Sequence, residues 1–477
     1  MTDTSIAEQK RQGLLKAYLQ ARPQTAQYCP SPIAPRRPGT IAPLSLTQEE
    51  LWRREMQVPG IAPLYNECVM LRMIGPLDLV SLERSLNEIV RRQEIWRTTF
   101  ETRAGEPVQI VQPTAPLHLH VVDLRELPEP DRGAQAVALI SQDTHRRFAM
   151  QSEPPLRATL VRMDAEQHWL FLVVHLMLLD GVSAYQLFPF ELAVLYKAYA
   201  EGRNSPLPEL PIQYGDFACW QREIGQKAFA GQIAYWCEQL EDRLPKADWP
   251  SGKPRVPNRT YRGTVRPFTF PAQLSESLRA FAKQGNSTLF FVLLAGLAAL
   301  IRKRTGQEQI ILGTLASLSR NQSEVMNLLG YFLNPVALRF DFQSDPTFHE
   351  LLAQTRIVLS KAMLNADVPI ELLARELKHE QDSGPSPFFS TVISLQPPMQ
   401  NLDLNWTVTT MDVDSGGSPW DFYLAFVDRA QHIMGRVQFD TDRFDFPEIT
   451  RTIRDLQALL QELTLNPTRR VSEVQAA

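Results

Sequence analysis

The segment HWLFLVVHLMLLD, residues 168–180, constrains the fold of this chain more than any other. It is apolar at successive positions, so both faces of the predicted strand must be covered, as in the interior of a sheet packed against helices. One histidine, His175, interrupts the apolar run, and an Asp-Gly pair, Asp180 and Gly181, closes it. A histidine and an aspartate at the end of a buried strand are typical of an active site.

The rest of the chain alternates strand and helix patterns. CVMLRMIG (68–75) suits a strand, LVSLERSLNEIVRRQEIW (79–96) has the spacing of an amphipathic helix, and HLHVVDL (118–124) suits a strand again. The second half repeats this mixture, with strands such as QIILGTL (309–315) and WDFYLAFV (420–427) between helices. The pattern predicts an α/β fold built in two layers.

The length of the chain, 477 residues, exceeds the usual size of one hydrophobic core. We therefore expect an N-terminal helix and proline-rich tether (1–40), an N-terminal lobe (41–215) and a C-terminal lobe (216–477). Stretches rich in proline, glycine and polar residues, 203–211 and 249–263, are the candidates for the connection between the lobes.

Composition excludes several classes of protein. A net charge of -4 with no basic stripe argues against a nucleic-acid binder. The four cysteines are scattered and no signal peptide precedes them, which favours a reducing cytoplasm. The longest apolar run, LFFVLLAGLAALI (289–301), is too short to span a bilayer and predicts a buried helix capped by residues 286–288. The histidines lack metal-ligand spacing, so we expect no metal.

Five segments, in order along the chain, resemble motifs of the condensation domains of nonribosomal peptide synthetases. They are SLTQEELW (45–52), RQEIWRTTF (92–100), HLMLLDG (175–181), YGDFACWQRE (214–223) and LGYFLNPVALR (329–339). The resemblance implies two chloramphenicol-acetyltransferase-like lobes in a V-shaped pseudo-dimer with a central tunnel. It also implies donor and acceptor carrier proteins, whose phosphopantetheine arms bring an acyl thioester and an amine together. We expect a cytoplasmic monomer with no bound cofactor of its own, no nucleic acid and no membrane partner.

The central motif of this family is His-His-x-x-x-Asp-Gly. Alignment on the Asp-Gly pair gives His175 the first histidine position and places Leu176 at the second, to which the chemistry is usually assigned. A shifted alignment would put Leu179 at the aspartate position and lose two matches to gain one. Ser183 also matches the family in the unshifted alignment, so we interpret Leu176 as a replacement of the second histidine.

Other positions expected near the tunnel also differ from the family pattern. Asn334-Pro335 replaces Asn-Thr, NADVPIE (365–371) replaces His-Gln-Asp-x-Pro-Phe-Glu, and GTLASLSR (313–320) replaces Gly-x-Pro-x-x-x-Arg. Trp420 stands where the family often has a smaller residue, and is expected to pack or to narrow the tunnel. Central motifs differ more than scaffold motifs, which favours a changed function on a retained fold.

Each motif residue also has an interpretation without chemistry. His175 is expected either to bond a backbone carbonyl and order the loop or to take part directly, with its side chain pointing away from the tunnel. Asp180 is expected to pair with Arg92 or Arg97, because the resemblance implies an arginine partner and a buried carboxylate needs one. Leu176, Met177 and Leu179 are expected to form an apolar wall of the tunnel or part of the core.

Three functions remain open at this stage. The first is acyl transfer to an amine, a hydroxyl or water, since positioning two reactants contributes about 7–11 kcal/mol and a general base roughly 3–5 kcal/mol. The second is a catalytically inactive platform that docks carrier proteins or tailoring enzymes. The third is an altered activity such as chain release or cyclisation.

Overall fold

A computed structural model describes most of the chain. The described residues are 32–57, 64–225, 229–240, 249, 253, 259–317, 320, 322–378, 386–397, 402, 404–410 and 413–474. The predicted N-terminal helix and the first part of the tether, within residues 1–31, lie outside them.

The N-terminal half alternates strands and helices as predicted. In chain order its elements are β1 (Ala42–Pro43), α1 (Leu46–Gln57), β2 (Asn66–Ile74), α2 (Leu79–Arg92), β3 (Thr98–Arg103), β4 (Glu106–Val111), β5 (Leu119–Asp123), α3 (Glu129–Thr144), β6 (Leu156–Arg162), β7 (Gln167–His175), α4 (Phe188–Ala200) and α5 (Tyr214–Ile224). Short 3-10 turns follow α2 and β7, and a π-helical turn, Ser183–Leu187, leads into α4.

The C-terminal half continues the alternation. Its elements are α6 (Ala230–Leu240), β8 (Gly263–Thr269), α7 (Ala272–Gln284), α8 (Leu289–Thr305), β9 (Gln309–Ser317), β10 (Leu333–Asp341), α9 (Phe348–Leu364), α10 (Ile370–Glu376), β11 (Thr391–Leu395), β12 (Trp406–Thr410), β13 (Phe422–Asp428), β14 (Ile433–Asp440) and α11 (Phe446–Leu465).

Strand β7 lies in the interior of a five-stranded sheet ordered β12-β2-β7-β6-β5. Strands β2 and β6 pair with it on either side, both antiparallel, which satisfies its backbone groups and explains its apolar sequence. The strand is shorter than predicted, because it ends at His175, opposite Asn66, and a 3-10 turn follows. Strand β12 belongs to the C-terminal half but pairs antiparallel with β2, with Trp406 opposite Met73. One strand of the second half therefore completes the first sheet.

The C-terminal half forms a six-stranded sheet ordered β10-β9-β11-β13-β14-β8. Helix α8 packs against β9, β11 and three neighbouring helices, and residues 292–301 are all buried, which confirms the predicted core helix. The Thr288 side chain caps it by accepting the Phe291 N–H at 3.4 Å. Among the described helices, none alone has the length and hydropathy of a membrane span; α7 and α8 reach them only as a pair, bent by 108°.

Helix α5 lies at the predicted boundary between the lobes. Its aromatic side chains Tyr214, Phe217 and Trp220 pack in the N-terminal core, whereas Trp236 of α6 packs in the C-terminal core. A boundary at residue 215 would cut α5 near its first turn. We therefore propose that the lobes divide between α5 and α6.

Candidate active site

His175 ends β7 and caps the turn that follows it. Its Nδ1 accepts a hydrogen bond from the Met177 backbone N–H at 3.2 Å, so the expected bond to a backbone carbonyl is wrong. In the neutral imidazole the proton must therefore lie on Nε2. The ring also contacts Tyr65 edge to face, with ring centroids 5.9 Å apart. These contacts order the turn that carries the rest of the central motif.

The Nε2 atom of His175 faces Glu55, a residue of α1. It lies 2.9 Å from Glu55 Oε2, although the two groups are not aligned as a hydrogen bond. Burial alone would raise the pKa of the Glu55 carboxyl, but His175 and Arg147 hold that pKa below its usual value. The imidazole is thus turned towards α1.

Asp180 is bound by Arg320. The guanidinium donates from Nη2 to Oδ1 at 2.8 Å and from Nε to Oδ2 at 3.2 Å. The Ser183 backbone N–H adds a third hydrogen bond to Oδ1 at 2.7 Å. The predicted pairing of Asp180 with Arg92 or Arg97 is therefore wrong. The carboxylate is a fully satisfied buried group that holds the loop in place.

Arg92 and Arg97 serve other parts of the scaffold. Arg92 lies 3.4 Å from the Glu191 carboxylate and donates to the Pro208 carbonyl at 2.5 Å. Arg97 donates to the Gln112 carbonyl at 2.7 Å. Arg92 therefore joins α2 to α4 and to the loop after α4. Arg97 joins the turn after α2 to the residue that follows strand β4.

Ser183 joins the central loop to the LGYF segment. Its hydroxyl accepts hydrogen bonds from Arg320 Nη2 at 2.8 Å and from the Gly330 N–H at 3.2 Å. A Cβ on Gly330 would lie 2.1 Å from the Tyr214 ring, so only glycine permits this approach. The Tyr214 hydroxyl in turn donates to the Tyr331 carbonyl at 2.5 Å. The segments that carry the family resemblance therefore hold one another.

Two more of these segments reach the same region. Gln48 of SLTQEELW donates from Nε2 to the Met177 carbonyl at 2.9 Å. Gln93 of RQEIWR accepts the Leu329 N–H at 3.0 Å. SLTQEELW and the LGYF segment therefore bond to the central loop itself, and RQEIWR and YGDF hold the LGYF segment in place. The frame around the loop thus persists although Leu176 stands within it.

A cavity of about 350 Å³ lies beside this loop and is lined by both halves of the chain. The loop contributes Leu176, Leu179, Asp180 and Gly181. A Cβ on Gly181 would approach the side-chain oxygen of Gln396 to 3.0 Å, so the glycine lets the loop come close to the opposite lobe. The volume is within the range of small-molecule sites.

The opposite wall of the cavity is mostly apolar. Its apolar members from the C-terminal half include Leu315, Leu333, Pro335, Leu395, Pro419 and Trp420. Trp420 stacks on Phe389 with ring centroids 5.5 Å apart, so it both packs and narrows the cavity. Met177, by contrast, is fully buried in the core.

Asn334 does not line the cavity, unlike its neighbour Pro335. Its Nδ2 donates to the carbonyls of Ala366 and Val368 at 2.8 Å and 2.7 Å, and its Oδ1 accepts the Ile370 N–H at 3.3 Å. The buried amide therefore fixes the turn that begins helix α10.

Two titratable groups that were not predicted from the sequence, Glu371 and Cys68, also line the cavity. Burial raises the pKa of Glu371, in the first turn of α10, to about 8. Burial also raises the pKa of the Cys68 thiol, which keeps it protonated and a poor nucleophile at neutral pH. The sequence feature that could have indicated Glu371 is its match to the final glutamate of the family motif His-Gln-Asp-x-Pro-Phe-Glu, since the first two residues of NADVPIE (365–371) differ from that motif.

The cavity therefore combines apolar surface with charged side chains, namely Glu50, Arg54, Glu67, Asp180, Glu371 and Arg436. Among the described residues, no histidine lines it, and no group of three or more His, Cys, Asp or Glu side chains is placed to hold a metal ion. Its chemistry is that of a space that positions reactants and excludes water.

Two α/β lobes with one strand crossing between them, and a cavity at the end of β7, define a protein of the chloramphenicol-acetyltransferase-like class. The chain belongs to the condensation-domain family, whose model matches residues 39–477. The resemblance to condensation domains of nonribosomal peptide synthetases is thereby confirmed.

Curated relatives are much longer synthetases, and this chain matches one part of each. The chain is 32% identical over 447 residues to chondramide synthase of Chondromyces crocatus, covering 92% of this chain and 11% of that protein. It is 31% identical over 464 residues to phosphinothricin tripeptide synthetase of Streptomyces viridochromogenes, covering 96% of this chain and 42% of that protein. The chain thus spans less than half the length of either relative.

Solved structures share the fold at lower identity. The first condensation domain of the calcium-dependent antibiotic synthetase, in complex with a substrate analogue, has a TM-score of 0.81 and 21% identity, covering 92% of this chain and 100% of that chain. The X-domain from teicoplanin biosynthesis has a TM-score of 0.80 and 23% identity, covering 93% of this chain and 100% of that chain.

Proposed function

We propose that this chain transfers an acyl group from a carrier-bound thioester to an amine, with the two reactants positioned in the cavity beside Leu176. The observation that carries the proposal is the cavity itself, which the central loop and the opposite lobe line together. Family membership supports the same reaction, because condensation domains are generally acyltransferases that form amide bonds.

The motif residues act in this proposal as a frame. Asp180 is held by Arg320 and by the Ser183 N–H, so it orders the loop. His175 faces Glu55, so it connects the loop to helix α1. Rate enhancement then comes chiefly from holding the amine against the thioester carbonyl, a contribution of about 7–11 kcal/mol.

The substrates follow from the family and from the walls of the cavity. Donor and acceptor carrier proteins present them on phosphopantetheine arms, and the protein holds no cofactor of its own. Because Leu176, Leu179 and Trp420 make the cavity apolar, donors with apolar acyl groups fit it best. The protein acts as a cytoplasmic monomer without nucleic acid or membrane.

Loaded carrier proteins test the proposal directly. A donor carrier bearing an apolar acyl thioester and an acceptor carrier bearing an aminoacyl thioester are incubated with the protein, and carrier-bound species are followed by intact mass. The expected product is an acceptor arm heavier by the acyl group. No product above the rate of the carriers alone would refute acyl transfer to an amine.

Leu176→His sharpens the test, because it restores a base at the second histidine position of the family motif. We expect the rate to rise by about 10²-fold or more if the cavity is otherwise intact. Leu176→Gln is the matched control, since it adds a polar side chain of similar size without a base, and its rate should not exceed that of the wild type.

A second candidate is a catalytically inactive recruitment platform. The observation that favours it is Leu176 itself, and one structural relative, the teicoplanin X-domain, has been solved in complex with OxyB. Its distinguishing result is stable binding of a carrier protein or tailoring enzyme by a protein that transfers no acyl group, together with no gain from Leu176→His.

A further inference from the structure

We propose that Glu371 binds the ammonium group of the acceptor substrate in the cavity and takes its proton, in place of a histidine base. This inference rests on the proposed function for the transfer step, but its binding step is independent of catalysis. Glu371 lines the same cavity as Leu176 and the Asp-Gly pair, and it reaches that cavity from the opposite half of the chain.

The carboxyl group is held in a defined place. Glu371 is the second residue of α10, and the turn before that helix is fixed by Asn334 through hydrogen bonds to Ala366, Val368 and Ile370. Asn334 is thus a positioning residue, which aims the first turn of α10 without lining the cavity itself.

Three charged groups on α1 and one phenol face Glu371. Glu50, Arg53 and Arg54 interact with it electrostatically, and so does Tyr331. Both arginines are already engaged by Glu50, with an Arg54 Nη2–Glu50 Oε1 distance of 2.5 Å and an Arg53 Nη1–Glu50 Oε2 distance of 3.0 Å.

The Glu371 carboxyl group has its own backbone N–H as a hydrogen-bond donor. Among the described residues, no other residue forms a hydrogen bond or a close ion pair with it. A cationic group delivered by the substrate would therefore be its direct partner.

Tyr331 connects Glu371 to the central loop, since its side chain interacts electrostatically with both Glu371 and Asp180. Glu371, Tyr331 and Asp180 all line the same cavity. Burial, with a smaller contribution from Glu50, raises the pKa of Glu371 to about 8, against the opposing effects of its own backbone N–H, Arg54 and Arg53. A carboxyl group with this pKa is a stronger proton acceptor near neutral pH than an ordinary glutamate.

The proton transfers balance as follows. The ionised Glu371 carboxylate takes one proton from the acceptor ammonium group and leaves a neutral amine. The amine nitrogen attacks the thioester carbonyl carbon, the C–N bond forms and the C–S bond breaks. The leaving thiolate takes a second proton from the nitrogen, which gives the amide and the free thiol, and Glu371 later releases its proton to solvent.

The kinetic test compares wild type and Glu371→Gln in the loaded-carrier assay over a pH range from about 6.5 to about 9.5. We expect the variant to lose at least about tenfold near neutral pH. The loss should shrink towards the alkaline end, where unprotonated amine is abundant and needs no acceptor. Glu371→Asp, which keeps a carboxylate, should recover part of the rate. Glu376→Gln, an exposed position on the same helix, is the matched control and should match wild type.

A binding experiment measures the contribution of Glu371 to probe affinity without catalysis. The probe is glycyl-aminopantetheine, in which an amide replaces the thioester, and its N-acetylated form, which has no ammonium group, is the control. Calorimetry should show the free-amine probe binding wild type at least about tenfold more tightly than Glu371→Gln, with proton exchange that depends on the buffer. The acetylated probe should bind both proteins equally.

The outcomes separate the two proposals. If wild type transfers acyl groups but Glu371→Gln has the same rate, pH profile and probe affinity, the Glu371 inference is wrong and the proposed function stands. If wild type transfers nothing but the free-amine probe still depends on Glu371, the proposed function fails and the binding site for the ammonium group stands. A variant that loses rate equally at every pH and binds both probes equally would mean a structural role, and would overturn the inference.

Discussion

Arg320 forms two hydrogen bonds with Asp180, although the two residues lie 140 positions apart in the chain. Both charged side chains are buried. The same guanidinium packs over the Phe332 ring at 4.2 Å and donates to the carbonyls of Val325 and Leu328. Arg320 therefore anchors the central loop to the LGYF segment with every donor direction in use.

Removal of Arg320 is expected to destabilise the protein strongly. Arg320→Leu leaves the buried Asp180 carboxylate without its partner, and the expected loss in the free energy of unfolding is about 3–5 kcal/mol. Urea unfolding measures it. Arg125→Leu removes an arginine from the exposed ion pair with Asp123 and should leave stability nearly unchanged. Equal losses in the two variants would contradict the anchoring role.

A methyl group at Gly330 is expected to break the contact between two motif segments. In Gly330→Ala the new Cβ would lie 2.1 Å from the Tyr214 ring, so the ring or the backbone must move, at a cost of about 3 kcal/mol or more. Gly231→Ala is the matched control, because nothing lies within 4 Å of a Cβ at that helical position. Thermal unfolding of both variants would test this, and a folded Gly330→Ala protein with wild-type Tm would refute it.

Glu371→Gln is expected to stabilise the protein at alkaline pH. Because the pKa of Glu371 is raised to about 8 in the folded state, folding disfavours its ionised form. The stability contributed by its neutral form is complete below its ordinary pKa of 4.5 and is lost as the pH rises through about 8. The variant should therefore exceed wild type by about 1–2 kcal/mol near pH ~9, roughly 1–2 °C in Tm for a chain of this length, and by little near pH ~5. Glu376→Gln, an exposed position on the same helix, is the matched control.

Trp420 is expected to limit the size of the donor. Trp420→Phe enlarges the cavity while it keeps an aromatic ring against Phe389, so bulkier acyl donors should gain in relative rate. Competition between a short and a branched acyl donor, read by intact mass, measures the ratio. Trp249→Phe is the control, because Trp249 stacks on Phe422 in the same lobe and does not line the cavity. An unchanged ratio in Trp420→Phe would place the size limit elsewhere.

Local patterns predicted most elements but not their long-range partners. The apolar run of β7 predicted an interior strand because burial on both faces leaves a direct trace in sequence. Nothing in the local sequence of β12 indicates pairing with β2 instead of the strands of its own half. Pairing partners depend on how the chain closes in three dimensions, and periodicity does not record that.

The sequence motifs predicted which segments surround the site, but not the contacts between their side chains. Leu176, Leu179 and Gly181, which the motif alignment singled out, line the cavity. The partner of Asp180 was predicted wrongly, because the resemblance implied an arginine of RQEIWR, whereas the folded loop brings Arg320 to the carboxylate. The tautomer of His175 depends on a single backbone N–H in a 3-10 turn, which no sequence pattern specifies.

The pairing of β12 with β2 has a consequence for domain exchange in synthetase engineering. The outer edge of the first sheet is a strand supplied by the second half, so each half alone would leave a pairing edge uncovered and open to aggregation. A chimera that recombines the two halves must therefore take β2 and β12 from the same parent. In practical terms, the smallest interchangeable unit is the pair of lobes together with its crossing strand.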